Sequence, residues 1–250
     1  MKYFYPLFAF LFTLIVIPVY GQKADSIIAM NIEARGGLNK LRAITSVQMT
    51  GTSNVQNIKE PFTIFLKRPD LIRLNLVAGN DTMIQAYDGQ TAWAKIPVKG
   101  TYKLEKLSAT QAADLKEQAD IDGPLIDYKK KGIKIQYAGT DEEKGQPVYK
   151  LRLTRKNGNI TTIKISKKTY FTVSETSIRQ VKSNPASPLP DKLLRVKTYF
   201  SKYESIKGIV LPYSIETYVD GNKVSEMDIN SIDLNIDIKK SLFEYPAVKN

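Results

Sequence analysis

Apolar and polar residues alternate with a period of two through most of this chain, which is the spacing of β-strands and not of helices. Ile133, Ile135 and Tyr137 alternate with Lys134 and Gln136, and Tyr149, Leu151 and Leu153 with Lys150, Arg152 and Thr154. Phe62, Ile64 and Leu66 alternate with Thr63, Phe65 and Lys67. After a break at Arg68-Pro69-Asp70, Ile72, Leu74 and Leu76 alternate with Leu71, Arg73, Asn75 and Val77. Strands are further predicted over 45–55, 83–87, 91–96, 160–166, 170–181, 193–203, 209–219 and 224–234. Asp88-Gly89-Gln90, Asn157-Gly158, Lys207-Gly208 and Asp220-Gly221 supply turns between them,. Residues 183–191, holding Pro185, Pro188 and Pro190, are predicted as a loop. These twelve stretches show no internal repeat and no linker long enough to divide domains,.

Helical spacing interrupts this pattern twice. In 24–35, Ile27, Met30 and Ala34 fall at i, i+3 and i+7, and Gly36-Gly37 ends the run,. In 108–120, Ala109, Ala112, Ala113 and Leu115 share helical spacing, with Ser108 placed as N-cap and Gln111 three residues on,. Asp122-Gly123-Pro124 ends that helix, and 125–131 is read as one further short turn. Strands with one apolar and one polar face belong to an antiparallel sheet wetted on one side. A sheet of this extent must curl. Its apolar concave face then needs cover, and the few short helices are placed to plug the mouth above a cavity with an apolar lining.

Composition narrows what such a scaffold does. The 250 residues contain neither histidine nor cysteine, which removes the imidazole base and the thiolate nucleophile,. Asp120-Ile121-Asp122-Gly123 lacks the remaining ligands of a calcium loop and reads as a helix-ending turn,. No phosphate loop or dinucleotide fingerprint is present, and the expectation is a protein that is not an enzyme and uses no metal or cofactor,.

The first 21 residues read as a signal peptide. Lys2 is their only charge, residues 7–19 form the apolar stretch, and cleavage is expected at Gly21/Gln22,. That stretch is shorter than the ~20 residues of a membrane-spanning helix. Without cysteine the mature end is not lipidated, so the remaining 229 residues are expected as a single periplasmic domain, 22–250. The formal charge of +12 falls to +11 once Lys2 is removed. Anionic membrane surfaces suit that balance, but the basic residues are scattered as in an ordinary solvated surface, and nucleic acid is not expected as a partner.

Two residues stay open on sequence alone. Trp93 suits a core aromatic anchoring a hairpin. Arg73, mid-strand between apolar neighbours, suits either an exposed cross-strand charge or a fork of donors reaching the carbonyls of a helical lid.

Arg68-Pro69-Asp70-Leu71-Ile72-Arg73-Leu74 resembles the Arg-Pro-x-x-x-Arg segment of LolA/LolB-type lipoprotein carriers and receptors, and the Tyr87-Asp88-Gly89 turn before Trp93 resembles that family's next hairpin. Residues 33–41, Asp122-Gly123-Pro124-Leu125, Asn235, Leu242-Phe243 and Pro246 resemble a longer subgroup, the outer-membrane lipoprotein-sorting proteins. The resemblance implies a mainly β fold: a strongly curved, unclosed antiparallel barrel, or half-barrel, with short helices over its concave face. It implies that Arg73 hydrogen-bonds the lid and lets go when cargo binds. The implied function is a soluble periplasmic carrier, acting as a monomer, that shelters acyl chains of a lipoprotein or lipid during transfer towards the outer membrane and meets membranes or donor and acceptor proteins transiently. The alternative is a sensor that binds lipoprotein or lipid and regulates a protein partner. Expected cavity residues are Phe62, Ile64, Leu66, Arg73, Leu74, Leu76 and Trp93, with Leu115, Ile121 and Leu125 on the lid. Phe65, Leu71 and Val77, on the other face of the same strands, compete for the lining role.

Overall fold

A computed structural model describes residues 19–55, 57–181 and 192–246. The expected signal peptide therefore lies almost wholly outside the described residues, as does the proline-rich loop 183–191. The chain opens with helix α1 (Val19–Ala34) and the short α2 (Leu38–Arg42). Six strands follow: β1 (Ser46–Val55), β2 (Ile58–Lys67), β3 (Leu71–Ala78), β4 (Asp81–Tyr87), β5 (Ala92–Val98) and β6 (Thr101–Lys106). Helix α3 (Ala109–Ala119) and a run of turns lead to β7 (Lys134–Glu143), β8 (Gln146–Thr154), β9 (Ile160–Ser166), β10 (Thr172–Val181), β11 (Lys192–Ile206), β12 (Ile209–Val219) and β13 (Asn222–Leu234). A 3-10 turn, Lys240–Leu242, lies near the end.

All thirteen strands form one antiparallel sheet in the order β6-β5-β4-β3-β2-β1-β13-β12-β11-β10-β9-β8-β7. Almost every neighbour is a sequence neighbour; the β1–β13 pair alone joins the two meanders. The sheet is not closed, because β6 and β7 stand at opposite edges. This is the open half-barrel expected. The strand missing from the sequence reading is β6, whose Lys103, Glu105 and Lys106 dilute its alternation, and charged residues are what an edge strand uses to discourage pairing with another chain,.

Ser108 caps α3 as its spacing predicts: its hydroxyl accepts from the Gln111 backbone N–H while the Gln111 side chain accepts from the Ser108 N–H, closing a capping box,. From α3, residues 120–133 carry the chain from the β6 edge to the β7 edge, and hydrogen-bonded turns replace the single helical turn expected there. Two apolar layers fill the side of the sheet that carries the helices. One joins Val47, Phe62, Leu66, Ile72, Ile229 and Ile232 with Leu41 of α2 and Leu115 and Ala119 of α3. The other joins Leu151, Leu153, Ile163 and Ile165 with Ala24, Ile27 and Ile28 of α1.

The opposite face of β2–β5 is apolar as well, and the C-terminal residues cover it. Leu71 and Phe65 pack on Ile238, Leu242 and Phe243, while Trp93, Ile84 and Leu104 pack on Tyr245. Competition between Phe65 and Phe62, or Leu71 and Leu74, for the inner position thus has a simple origin: this part of the sheet is buried on both faces, so its sequence is apolar at both parities.

Candidate functional site

The concave layer over β1–β4 and β12–β13 is the candidate site. Phe62, Ile64 and Leu66 of β2 stand directly across from Leu76, Leu74 and Ile72 of β3. All six belong to one layer, and Leu115 and Ile121 pack against it from the helical side. The cover is uneven. Phe62 is 2 % exposed, whereas Ile64, Leu74, Leu76, Met49, Tyr213, Ile215 and Met227 keep part of their surface free. A trough of apolar surface therefore remains along the sheet beyond the helices. Leu125 does not share this layer; it packs against α1 with Ile27, Ile28 and Leu151.

Arg73 and Trp93 require correction. Side chains of successive strand residues point to opposite faces. With Leu74 on the concave side, Arg73 faces the other, where its Nη1 donates to the carbonyl of Leu242 (2.8 Å) and its Nε to Asn75 Oδ1 (2.8 Å). Trp93, 1 % exposed, donates its Nε1–H to the carbonyl of Phe243 (2.8 Å) and meets Tyr245 edge-on at 6.2 Å. Both residues fasten the C-terminal segment to the convex face and neither lines the apolar trough.

The arginine that reaches the helical cover is Arg68, one turn earlier in the same motif. Its guanidinium forms a two-pronged pair with Asp122, at 2.7 and 2.6 Å, and its Nε donates to the carbonyl of Ile44 (2.5 Å). The hydrogen bond from Arg68 holds the Asp122 carboxyl below its usual range, against the opposing effect of burial,. The resemblance implied this role for Arg73; strand parity turns Arg73 to the other face, and Arg68, in the turn between β2 and β3, makes the contact instead,.

Charged contacts also hold the rest of the cover. Lys131 pairs with Asp120, and Arg42 with Asp127 at 2.7 Å. On α3, Asp114 meets Arg179 at 2.9 Å, Glu117 meets Arg155 at 3.1 Å, and Lys116 meets Asp70 at 3.6 Å. Only Leu115 and Ala119 of this helix are buried. Beside it opens a cavity of about 470 Å³, lined by residues including Pro69, Ala113, Glu117, Pro124 and Arg155.

A second cavity, about 590 Å³, lies between the β7–β8 turn and β11–β12, lined by Lys144, Arg195, Lys197, Tyr199 and Tyr218. It borders an ion-pair network on the convex face. Burial would raise the Glu143 carboxyl, but hydrogen bonds from Lys164, Lys197 and Tyr199 outweigh it and hold the group at about 2. Among the described residues no three metal-ligating side chains come together.

No protein-family model matches this sequence, and no curated protein does. Solved structures do match, over nearly their whole length. A DUF1329 family protein from Desulfovibrio piger superposes with a TM-score of 0.59 at 13 % identity, covering 89 % of this chain and 97 % of that one. A LolA superfamily protein from Nitrosomonas europaea gives 0.56 at 14 %, covering 90 % and 98 %. The chain has the LolA-like fold. A putative outer membrane lipoprotein-sorting protein domain from Vibrio parahaemolyticus gives 0.56 at 11 %, covering 89 % and 97 %. At these identities the likeness is one of architecture: a LolA-like curved sheet with helices over its concave face.

Proposed function

We propose that this LolA-like chain is an exported periplasmic carrier that shelters the acyl chains of a lipoprotein or lipid on their way towards the outer membrane. One observation carries the proposal: the concave apolar layer is only half covered, and the cover is held at its margins by ion pairs. Exposing an acyl chain to water costs ~0.8 kcal/mol per methylene, so a long chain needs a continuous apolar surface and not a single pocket. Ile64, Leu74, Leu76, Met49 and Met227 offer that surface, with partly exposed side chains on four strands. Release requires the opposite quality, and contacts such as Arg68–Asp122 and Arg155–Glu117 can exchange for water at far lower cost than a packed core. The structural neighbours, a LolA superfamily protein and an outer membrane lipoprotein-sorting protein domain, support the same reading. We place the mature protein in the periplasm as a monomer beginning near Gln22, and assign it binding and not catalysis.

Native mass spectrometry of residues 22–250 purified gently from periplasm, with extraction and analysis of added mass, tests the proposal. A bound lipid or lipopeptide, or saturable uptake of cis-parinaric acid by stripped protein, is the expected result. An empty protein that also ignores the probe would overturn it in favour of protein–protein interaction.

A further inference from the structure

The helix-side surface is not apolar throughout. Arg35 directly follows α1, and its backbone is fixed on the β11–β12 turn: its carbonyl accepts from the Val210 N–H (3.0 Å). The adjoining Gly36 lies so close that a Cβ there would stand 2.2 Å from the Gly208 carbonyl oxygen. The origin of the Arg35 side chain is therefore set rigidly against the sheet. Its ionisable neighbours are Tyr203 of β11, Glu175 of β10 and Asp122, the last already paired with Arg68. Glu175 is paired in register with Ile163, a member of the layer under α1, so its side chain enters the concave side. Tyr203 commits its hydroxyl proton to the carbonyl of Thr172 (2.7 Å) and stacks on Phe171 at 4.5 Å.

Two features set this group apart from every other charged cluster described above. Burial desolvates Arg35 and Glu175, yet both keep a part of their surface free. Among the described residues, moreover, neither the Arg35 guanidinium nor the Glu175 carboxyl has a hydrogen bond or an ion pair, whereas nearby Arg68 and Arg155 are each matched to a carboxylate. A desolvated cation without a hydrogen-bond partner is costly, and arginine cannot shed its proton to escape that cost. Burial pushes the Glu175 carboxyl upward, against the pull of the Arg155 and Arg35 charges, and it makes no direct ion pair with Arg35,.

We infer that Arg35, Glu175 and Tyr203 form an interior polar subsite that receives the anionic head, carboxylate or phosphate, of an amphiphile whose tail lies along the apolar layer. This rests on the carrier reading above. Arg35 supplies the charge and the fork of donors, with Glu175 and Tyr203 beside it,. The subsite adjoins the tail surface: Ile32, one turn before Arg35 and on the same helix face, packs against both apolar layers,. It also neighbours the 470 Å³ cavity beside α3, since Glu117 and Arg155, which line that cavity, are charged neighbours of Glu175.

Displacement of cis-parinaric acid from the stripped mature protein compares palmitate with hexadecanol, which share a tail and differ in the head. Palmitate should bind at least about tenfold more tightly. Arg35→Gln should erase most of that preference and leave hexadecanol unchanged, while Glu175→Gln should keep or strengthen it. Should Arg35→Gln fail to fold, the wild-type preference and the Glu175→Gln variant still decide. Equal binding of both ligands to wild type would overturn the subsite and leave the carrier reading intact. A response to neither ligand would instead count against the carrier reading; the subsite is then read separately, and binding of millimolar inorganic phosphate alone, sensitive to Arg35→Gln, would overturn the assignment to an amphiphile.

Discussion

The two ends of the concave face use the same strand alternation to opposite effect. At the β7–β9 end, Leu151, Leu153, Ile163 and Ile165 are fully buried, sealed by the apolar side chains of α1. At the β1–β4 end, Ile64, Leu74 and Leu76 occupy equivalent inward positions but keep free surface, because α3 contributes only Leu115 and Ala119 and is otherwise held by its charged rim. A packed helix makes a core; a helix moored at its margins leaves a trough. The first end supplies stability that the second does without, and a binding surface needs that surplus of exposed apolar area.

The sharpest way to break this contrast is to truncate one residue at each end. Leu151→Ala, in the sealed layer, should lower unfolding free energy by about 2–5 kcal/mol in urea denaturation, because a cavity is left that cannot collapse. A loss comparable to that of a surface substitution would show that the α1 end is not a true core. Next in size is Arg68→Ala, which removes the two-pronged contact with Asp122. A loss of about 1–3 kcal/mol is expected, with faster hydrogen exchange confined to 120–133. Unchanged exchange there would mean that the cover is held by something other than this contact.

On the convex face, Glu143 gives a pH signature. The folded protein holds this carboxyl at about 2, whereas the unfolded chain returns it to about 4.5, so the unfolded state binds more protons between those values,. The stabilisation is complete above about 4.5 and disappears as pH falls towards 2. Glu143→Gln should lower stability by about 1–2 kcal/mol at neutral pH, with the difference from wild type shrinking through that acid window. A constant difference would exclude the ion-pair network as its cause. The smallest stability effect belongs to Leu74→Ala: less than about 1.5 kcal/mol, because the side chain is already partly exposed,. Its uptake of cis-parinaric acid should nevertheless weaken severalfold, and normal uptake would remove Leu74 from the lining.

Much of this architecture is written in local pattern. Alternation locates twelve of the strands, Ser108 and Gln111 mark the start of α3, and the apolar positions of 24–35 mark α1. Phe62, Ile64, Leu66, Leu74 and Leu76 follow from parity along two strands joined by a tight turn. Arg73 and Trp93 could not be placed in this way. Both faces of β2–β5 are apolar, and only the return of residues 236–245, about 170 positions downstream of Arg73, shows which face meets the helices. Arg35 and Glu175 carry no sequence signal, since an arginine ending a helix and a glutamate in a strand are ordinary surface residues until the fold encloses them.

The sequence by itself therefore determined the kind of element at almost every position, the antiparallel one-sheet architecture and the lack of histidine and cysteine chemistry, because periodicity and composition are local properties. Tertiary structure alone decided which face became concave, which arginine ties down the helical cover and which charges lie unpartnered within it. Those choices depend on the β1–β13 pairing and on the C-terminal return, contacts between residues far apart in the chain, and no local pattern encodes them.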